Sequence, residues 1–297
     1  MDDRGLWELT QSAWSALNPH FEPAIQQVIE ETQLEPQAWG LLLAALTLEP
    51  EETTPGHLIV RTPFTSADHF LYRLKNIAAA GYLAEVHPGK FRLTAPGHTA
   101  VDRFIDRARF AMTHSDPLPA EDSGRLADLL EKLVEACLKQ PPPPGSWCIG
   151  LSYKLMPEKE PPLPYIEQAF TCLDAYREDA HLAAWRSSGL SAVSLEVLTL
   201  LWRDDVHSLD EILEKLSRRG HDRMVYSDAL SDLRQRGYLA GDVPALSLTE
   251  AGREFRGKIE NETDRLFLIP WKAVSLEEKE EMAGLLTGLR DGLEMKE

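Results

Sequence analysis

The apolar positions along the chain switch between helical and strand-like periods, and the switches mark out the same order of elements twice. Residues 8–30 place Ala13, Leu17, Phe21, Ala24, Ile25 and Val28 on one helical face. Pro19 and Pro23 should split that helix, because proline cannot donate to the helix ladder. A second apolar helix opens at Pro36, a residue suited to the first helical position, and runs to Leu48. Thr54 and Pro55 signal a short helix ending near Thr62-Pro63, although His57-Leu-Ile-Val60 also suits a strand. Thr65 is expected to cap a helix reaching Ala80, with Gly81 as its C-cap. Tyr82 to Thr94 reads as two short strands around the turn His87-Pro88-Gly89-Lys90, followed by helices over 96–113 and 120–139.

Pro141–Pro144 and Gly145 then open a proline-rich stretch that continues through Pro157, Pro161, Pro162 and Pro164. Consecutive prolines favour an extended, semi-rigid spacer. From Pro164 the pattern restarts. Helices are expected over 165–187 and 190–202, then over 209–217 behind a capping box of Ser208 and Glu211. A helix over 222–236 closes at Gly237. A compact hairpin through Ala240-Gly241-Asp242 leads to Leu248-Thr249, with helices over 250–267 and 275–293 to finish.

The two halves match residue by residue. Leu74, Ile77, Gly81, Tyr82 and Leu83 recur 156 positions later as Leu230, Leu233, Gly237, Tyr238 and Leu239. Leu93-Thr94 with Gly97 returns as Leu248-Thr249 with Gly252, one residue closer, and Leu129-Leu130 returns as Leu285-Leu286. This self-similarity predicts two copies, 1–140 and 164–297, joined by the linker 141–163.

Composition narrows the function classes. The 297 residues, 43 % hydrophobic and 27 % charged, suit two globular domains. The longest apolar run, 38–48, is too short for a membrane span of about 20 residues. No secretory signal follows Met1, and Cys137, Cys148 and Cys172 show no metal or disulfide spacing, so a cytoplasmic protein without metal or cofactor is expected. No phosphate loop, HExxH or nucleophile elbow points to an enzyme. Asp174, Glu178 and His181 share a helix but lack a second histidine for a metal. The net charge of −17 opposes a polyanionic partner, so any nucleic-acid contact must come from local cations.

A short helix, a turn, a second helix and a two-stranded wing make a winged helix-turn-helix, whose second helix enters the major groove. On Leu233-Arg-Gln-Arg-Gly-Tyr-Leu239 with Leu248-Thr249-Glu-Ala-Gly252, and on Ile77-Ala-Ala-Ala-Gly-Tyr-Leu83 with Leu93-Thr94-Ala-Pro-Gly97, the chain resembles the MarR family of winged-helix transcription regulators. The resemblance implies a mainly α fold with small β-hairpin wings. Its tandem winged domains would pack through flanking helices as a pseudo-dimer in one monomeric chain. It also implies double-stranded DNA as the partner. Arg218, Arg219, Arg223, Tyr226 and Ser227 then become candidates in the second copy. Thr65, Ser66, His69, Arg73 and the wing cations Lys90 and Arg92 are those of the first. The second wing, with Gly241, Asp242 and Pro244, has no basic residue. MarR-like proteins often bind small effectors where flanking helices meet a winged core, which makes Trp14, His20, Tyr176, His181 and Trp185 candidates for a small aromatic ligand. The alternative is a winged-helix protein that has lost DNA binding and serves as a small-molecule sensor or protein-interaction scaffold.

Overall fold

The computed structural model describes residues 1–241 and 245–295. The first part of the chain is α1 (Asp3–Leu17), α2 (Glu22–Thr32), α3 (Pro36–Leu48), α4 (Pro55–Arg61), α5 (Ala67–Ala79), β1 (Leu83–His87), β2 (Lys90–Leu93), α6 (Ala95–Met112) and α7 (Ala120–Leu138). After α8 (Trp147–Tyr153) come α9 (Pro162–Arg186), α10 (Ala192–Trp202), α11 (Leu209–Lys215), α12 (Arg223–Gln235), β3 (Leu239–Ala240), β4 (Ser247–Leu248), α13 (Glu250–Phe267) and α14 (Leu276–Glu294). The protein is therefore mainly helical with two antiparallel hairpins, β1–β2 and β3–β4, as winged helices require. No helix among the described residues is long and apolar enough to cross a membrane.

Proline decides the first difference between the halves. The opening helix starts at Asp3, capped by the Asp2 carboxylate, and breaks into a 3-10 turn at Asn18–His20 before α2 resumes. Its counterpart α9 runs unbroken for 25 residues, because its prolines stand in the first turn, where a missing N–H costs nothing. The His57–Val60 segment is helical, held by the Thr54 cap.

The α5–β1 and α12–β3 junctions close alike. Gly81 and Gly237 take left-handed backbone (φ +88° and +76°). The Tyr82 and Tyr238 N–H groups donate back to the Ile77 and Leu233 carbonyls, at 3.2 and 2.9 Å. Paired with Gly81 N to Ala78 O and Gly237 N to Arg234 O, these are Schellman closures, which only glycine adopts without strain. Thr94 and Thr249 then cap α6 and α13 through the Gly97 and Gly252 amides, each at 3.1 Å.

The proline-rich stretch is not an extended spacer. Pro141–Gly145 turns on itself, and α8 follows, with Cys148 and Ile149 fully buried. The cause is Asp179 of α9. Its buried carboxylate accepts the Cys148 and Ile149 amides (2.8 and 3.1 Å), the orphan donors at the start of α8. All three cysteines are free and buried.

Two cores result. The smaller gathers Val28, Trp39, Leu42, Phe70, Leu74, Phe91 and Val101 from α2–α6 and β1–β2. The larger surrounds α9 and takes in α1 and α7 together with α8 and α10–α14, including Leu6, Leu130, Phe170, Tyr226, Phe267, Trp271 and Leu286. The flanking helices α1 and α7 thus pack on α9 and α14 from the other half of the chain.

Backbone approach gives a test. A Cβ on Gly97 would stand 2.1 Å from the Tyr82 carbonyl oxygen, whereas one on Gly124 in α7 meets nothing. Gly124→Ala should stabilise by about 0.5–1 kcal/mol, the usual helical gain. Gly97→Ala should instead destabilise by about 1–3 kcal/mol. Urea unfolding midpoints check both, and equal signs would refute the close approach.

Candidate nucleic-acid interface

The two helix-turn-helix units are built from local caps. In the second, the Ser208 hydroxyl accepts the Glu211 amide to start α11 (3.2 Å), and the Glu211 carboxylate takes the His207 amide (2.7 Å), one residue before the position a capping box would use. A 3-10 turn at Ser217–Arg219 ends at Gly220 (φ +69°), and Asp222 caps α12 through the Val225 amide. In the first unit the cap of α5 is Ser66, not Thr65, and it accepts the His69 amide at 3.1 Å.

Thr65 is occupied elsewhere. It is buried and lies 3.4 Å from an Nη of Arg219, which reaches across from the other unit. The Ser66 amide donates to the Arg219 carbonyl (2.9 Å), and its hydroxyl donates to the Gly220 carbonyl (3.0 Å). His221 Nε2 bonds the Phe64 carbonyl (3.0 Å), and the His69 side chain packs against Gly220 so closely that a Cβ there would lie 2.3 Å away. The turns leading into α5 and α12 therefore grip each other. This differs from the separation of about 34 Å that two readers in successive major grooves need.

The candidate residues sort by partner. Arg219 is ion-paired with the largely buried Glu196 (2.6 Å) and lies 5.8 Å from the Phe64 ring centre. Burial raises the Glu196 pKa, and the Arg219 charge opposes that shift. Arg223 pairs with Asp210 at 2.7 Å, both highly exposed, so the pair is weak and easily exchanged. Arg218 is exposed and makes no ion pair among the described residues. Ser227 is exposed, but Tyr226 is not on the reading face. It is fully buried, and its hydroxyl donates to the Leu216 carbonyl at 3.3 Å. Arg73 is half-buried, with its Nη2 enclosed and without a hydrogen-bond partner.

The first wing is also spoken for. Arg92 and Lys90 both reach Glu52, at 2.8 and 4.0 Å, and Arg92 holds the Glu52 carboxyl below the usual range. In the second wing Gly241 has φ +81° and accepts a bond from Arg234 Nη2 at 3.4 Å. Asp242 and Pro244 lie outside the described residues. Met224, Asp228 and Ser231, which the sequence pattern did not single out, stand exposed along α12 beside Ser227. Counting helical turns from the Asp222 cap would have found them. On α5 the exposed side chains other than alanine are Asp68, Tyr72, Lys75 and Asn76.

Of the aromatic candidates for a ligand, three have structural partners. The Tyr176 ring is fully buried beside Phe267, and Trp185 Nε1 donates to the Leu190 carbonyl at 3.0 Å. His181 Nδ1 lies 3.3 Å from the Thr263 hydroxyl. Trp14 and His20 are half-buried near the end of α1. Among the described residues no cluster of three or more His, Cys, Asp or Glu side chains is placed to hold a metal.

Burial, and then the charges of Arg256, Arg177 and Arg203, lower the His181 pKa to about 4, with Glu260 opposing. The unfolded chain binds a proton near pH 6.5, and the folded one does not until about 4. Stability should therefore be full above pH 6.5 and fall as pH drops towards 4, by up to about 3 kcal/mol from this group. Denaturation of the wild type and His181→Gln across that window should show a shallower pH slope for the variant.

No curated protein and no solved structure matches the chain. A family model described as a helix-turn-helix family matches residues 98–295, two thirds of the length, which takes in α11, α12 and the second wing but not α4 and α5. The chain belongs to this helix-turn-helix family.

Proposed function

We propose that the protein is a DNA-binding transcription regulator rather than an enzyme, a monomer in which two MarR-like winged units act as a fused pair. The observation that carries the reading is the exposed face of α12, with Arg223, Met224, Ser227 and Ser231 above a properly capped helix-turn-helix inside the family-matched span. Arg218 precedes it as an uncommitted cation, suited to a phosphate. The buried free thiols suit a reducing compartment such as the cytoplasm.

Contact geometry supports the fused pair. Arg125 forms a two-pronged ion pair with Glu281 (2.8 and 2.7 Å), and these residues occupy the same position in the two repeats, 156 apart. A residue that meets its own counterpart lies beside a two-fold axis. In a homodimer of either repeat, arginine would face arginine or glutamate would face glutamate, and repel. Fusion allows the two positions to diverge to opposite charges. Residues 1–140 and 164–297 are then the two copies, and 141–163 their connection. The gripped turns become a closed state that must open before both units reach DNA.

A second reading, a winged-helix scaffold that works through proteins, draws on the charge of −17 and on Asp68 and Asp228 on the two outward faces. Titration against the duplex upstream of the protein's own gene separates the two. DNA binding predicts affinity above that for random duplex and a linear fall of log K with log salt. Equal affinity for both duplexes, without salt dependence, would sink the regulator reading. Arg223→Ala should cost about 1–3 kcal/mol if that residue reads a base.

The closed state has its own test. A side chain at position 220 would collide with the His69 Cβ in a left-handed backbone. Gly220→Ala should therefore loosen the turn-to-turn grip and raise DNA affinity, by roughly 5–30-fold if the grip is worth one or two kcal/mol. Unchanged or weaker DNA binding by a folded Gly220→Ala protein would remove the opening step.

A further inference from the structure

A cavity of about 490 Å³ lies behind the gripped turns, a volume in the usual range for small-molecule sites. Its apolar walls come from Leu41 and Leu48 of α3, Leu58 of α4 and Trp147 of α8. Four guanidinium groups, of Arg61, Arg73, Arg218 and Arg219, line it too, beside the polar groups of Gln37, His57 and Glu178. Two of them are already neutralised, Arg61 by Glu178 at 2.7 Å and Arg219 by Glu196.

The other two are not. Arg73 has an enclosed Nη2 without a partner, and Arg218 forms no ion pair among the described residues. Burial first, and then the nearby Arg218 charge, lower the Arg73 pKa, with Glu35 opposing. A protein of charge −17 thus holds, at the edge of one apolar cavity, two cations that form no ion pair among the described residues. A buried cationic donor left unpaired costs free energy that a bound anion recovers.

We propose that this cavity binds a small organic dianion, a phosphomonoester or a dicarboxylate on a flat apolar body. Its head would sit between Arg73 and Arg218, and its body against Leu41, Leu58 and Trp147. Two free cations set the charge, and the apolar walls require a body beyond the head. The site is separate from Trp14, His20, Tyr176, His181 and Trp185, none of which lines it. Arg73 belongs to α5 of the first unit and Arg218 to the turn of the second, so one ligand bridges both and favours the closed turns. This regulatory consequence rests on the DNA-binding reading; the binding itself does not.

Calorimetry of the full chain with phenyl phosphate and with phthalate tests the site and tells the two anion sources apart. Saturable 1:1 binding of either is expected, with inorganic phosphate and benzoate at least about 10-fold weaker. Arg73→Gln and Arg218→Gln should each weaken binding by a similar factor. Arg218 is exposed, so its variant is expected to remain folded even where Arg73→Gln does not. No binding of either probe at millimolar concentration, or undiminished binding by folded Arg218→Gln, overturns the site. Binding that leaves DNA affinity unchanged keeps the site and removes its regulatory role. If the chain binds no DNA, the regulator reading fails while calorimetric binding still supports the site.

Discussion

The hydrogen bonds from Ser66 to the Arg219 and Gly220 carbonyls constrain everything that the two helix-turn-helix units present to solvent. They join the residue that caps α5 to the turn that precedes α12. The same few atoms therefore start α5 and hold the turn that leads into α12. Thr65, His69, Arg219 and His221 are drawn into the contact, and Arg73 and Arg218 are left beside it without carboxylate partners. Because Gly220 holds a left-handed backbone against His69, the contact tolerates no larger residue there.

Behind that contact stands a packed helical scaffold. Helix α9 runs through the larger core, and its buried Asp179 fixes α8 through two backbone amides. The Asp179 carboxyl is pushed up by burial and pulled back by those amides, so the pinned helix and the charge depend on each other. The helices α1 and α7, packed on α14 and α9, are braced at the surface by Arg125–Glu281 and Lys132–Glu278. The winged units thus stand on a common base, and their relative placement is set by packing between distant parts of the chain.

What was legible in the sequence was whatever is decided within a few residues. Gly81 and Gly237 announced the helix ends because a left-handed residue is needed there, and Ser208 announced α11 through its own hydroxyl. Tyr226 was misplaced although it shares a buried helical stripe with Ala229, Leu230 and Leu233; its polar hydroxyl pointed outward only on paper, because the Leu216 carbonyl accepts it inside. Lys90 and Arg92 looked free because Glu52, which pairs with both, stands some forty positions earlier and is brought to the wing by folding. Ser66 was missed as a cap because Thr65 is chemically as able, and only the bond from Arg219 occupies it.

By itself, then, the sequence determined most of the helices, the two hairpins and their order, though not α8, since capping, glycine handedness and proline geometry act over one or two helical turns. Tertiary structure alone decided which cations remain free, which aromatics are core, and that the turns leading into α5 and α12 meet. Those outcomes depend on charges and backbone groups that folding brings together, across 40 residues for Arg92 and Glu52 and across 154 for Ser66 and Gly220. Local periodicity carries no record of such encounters.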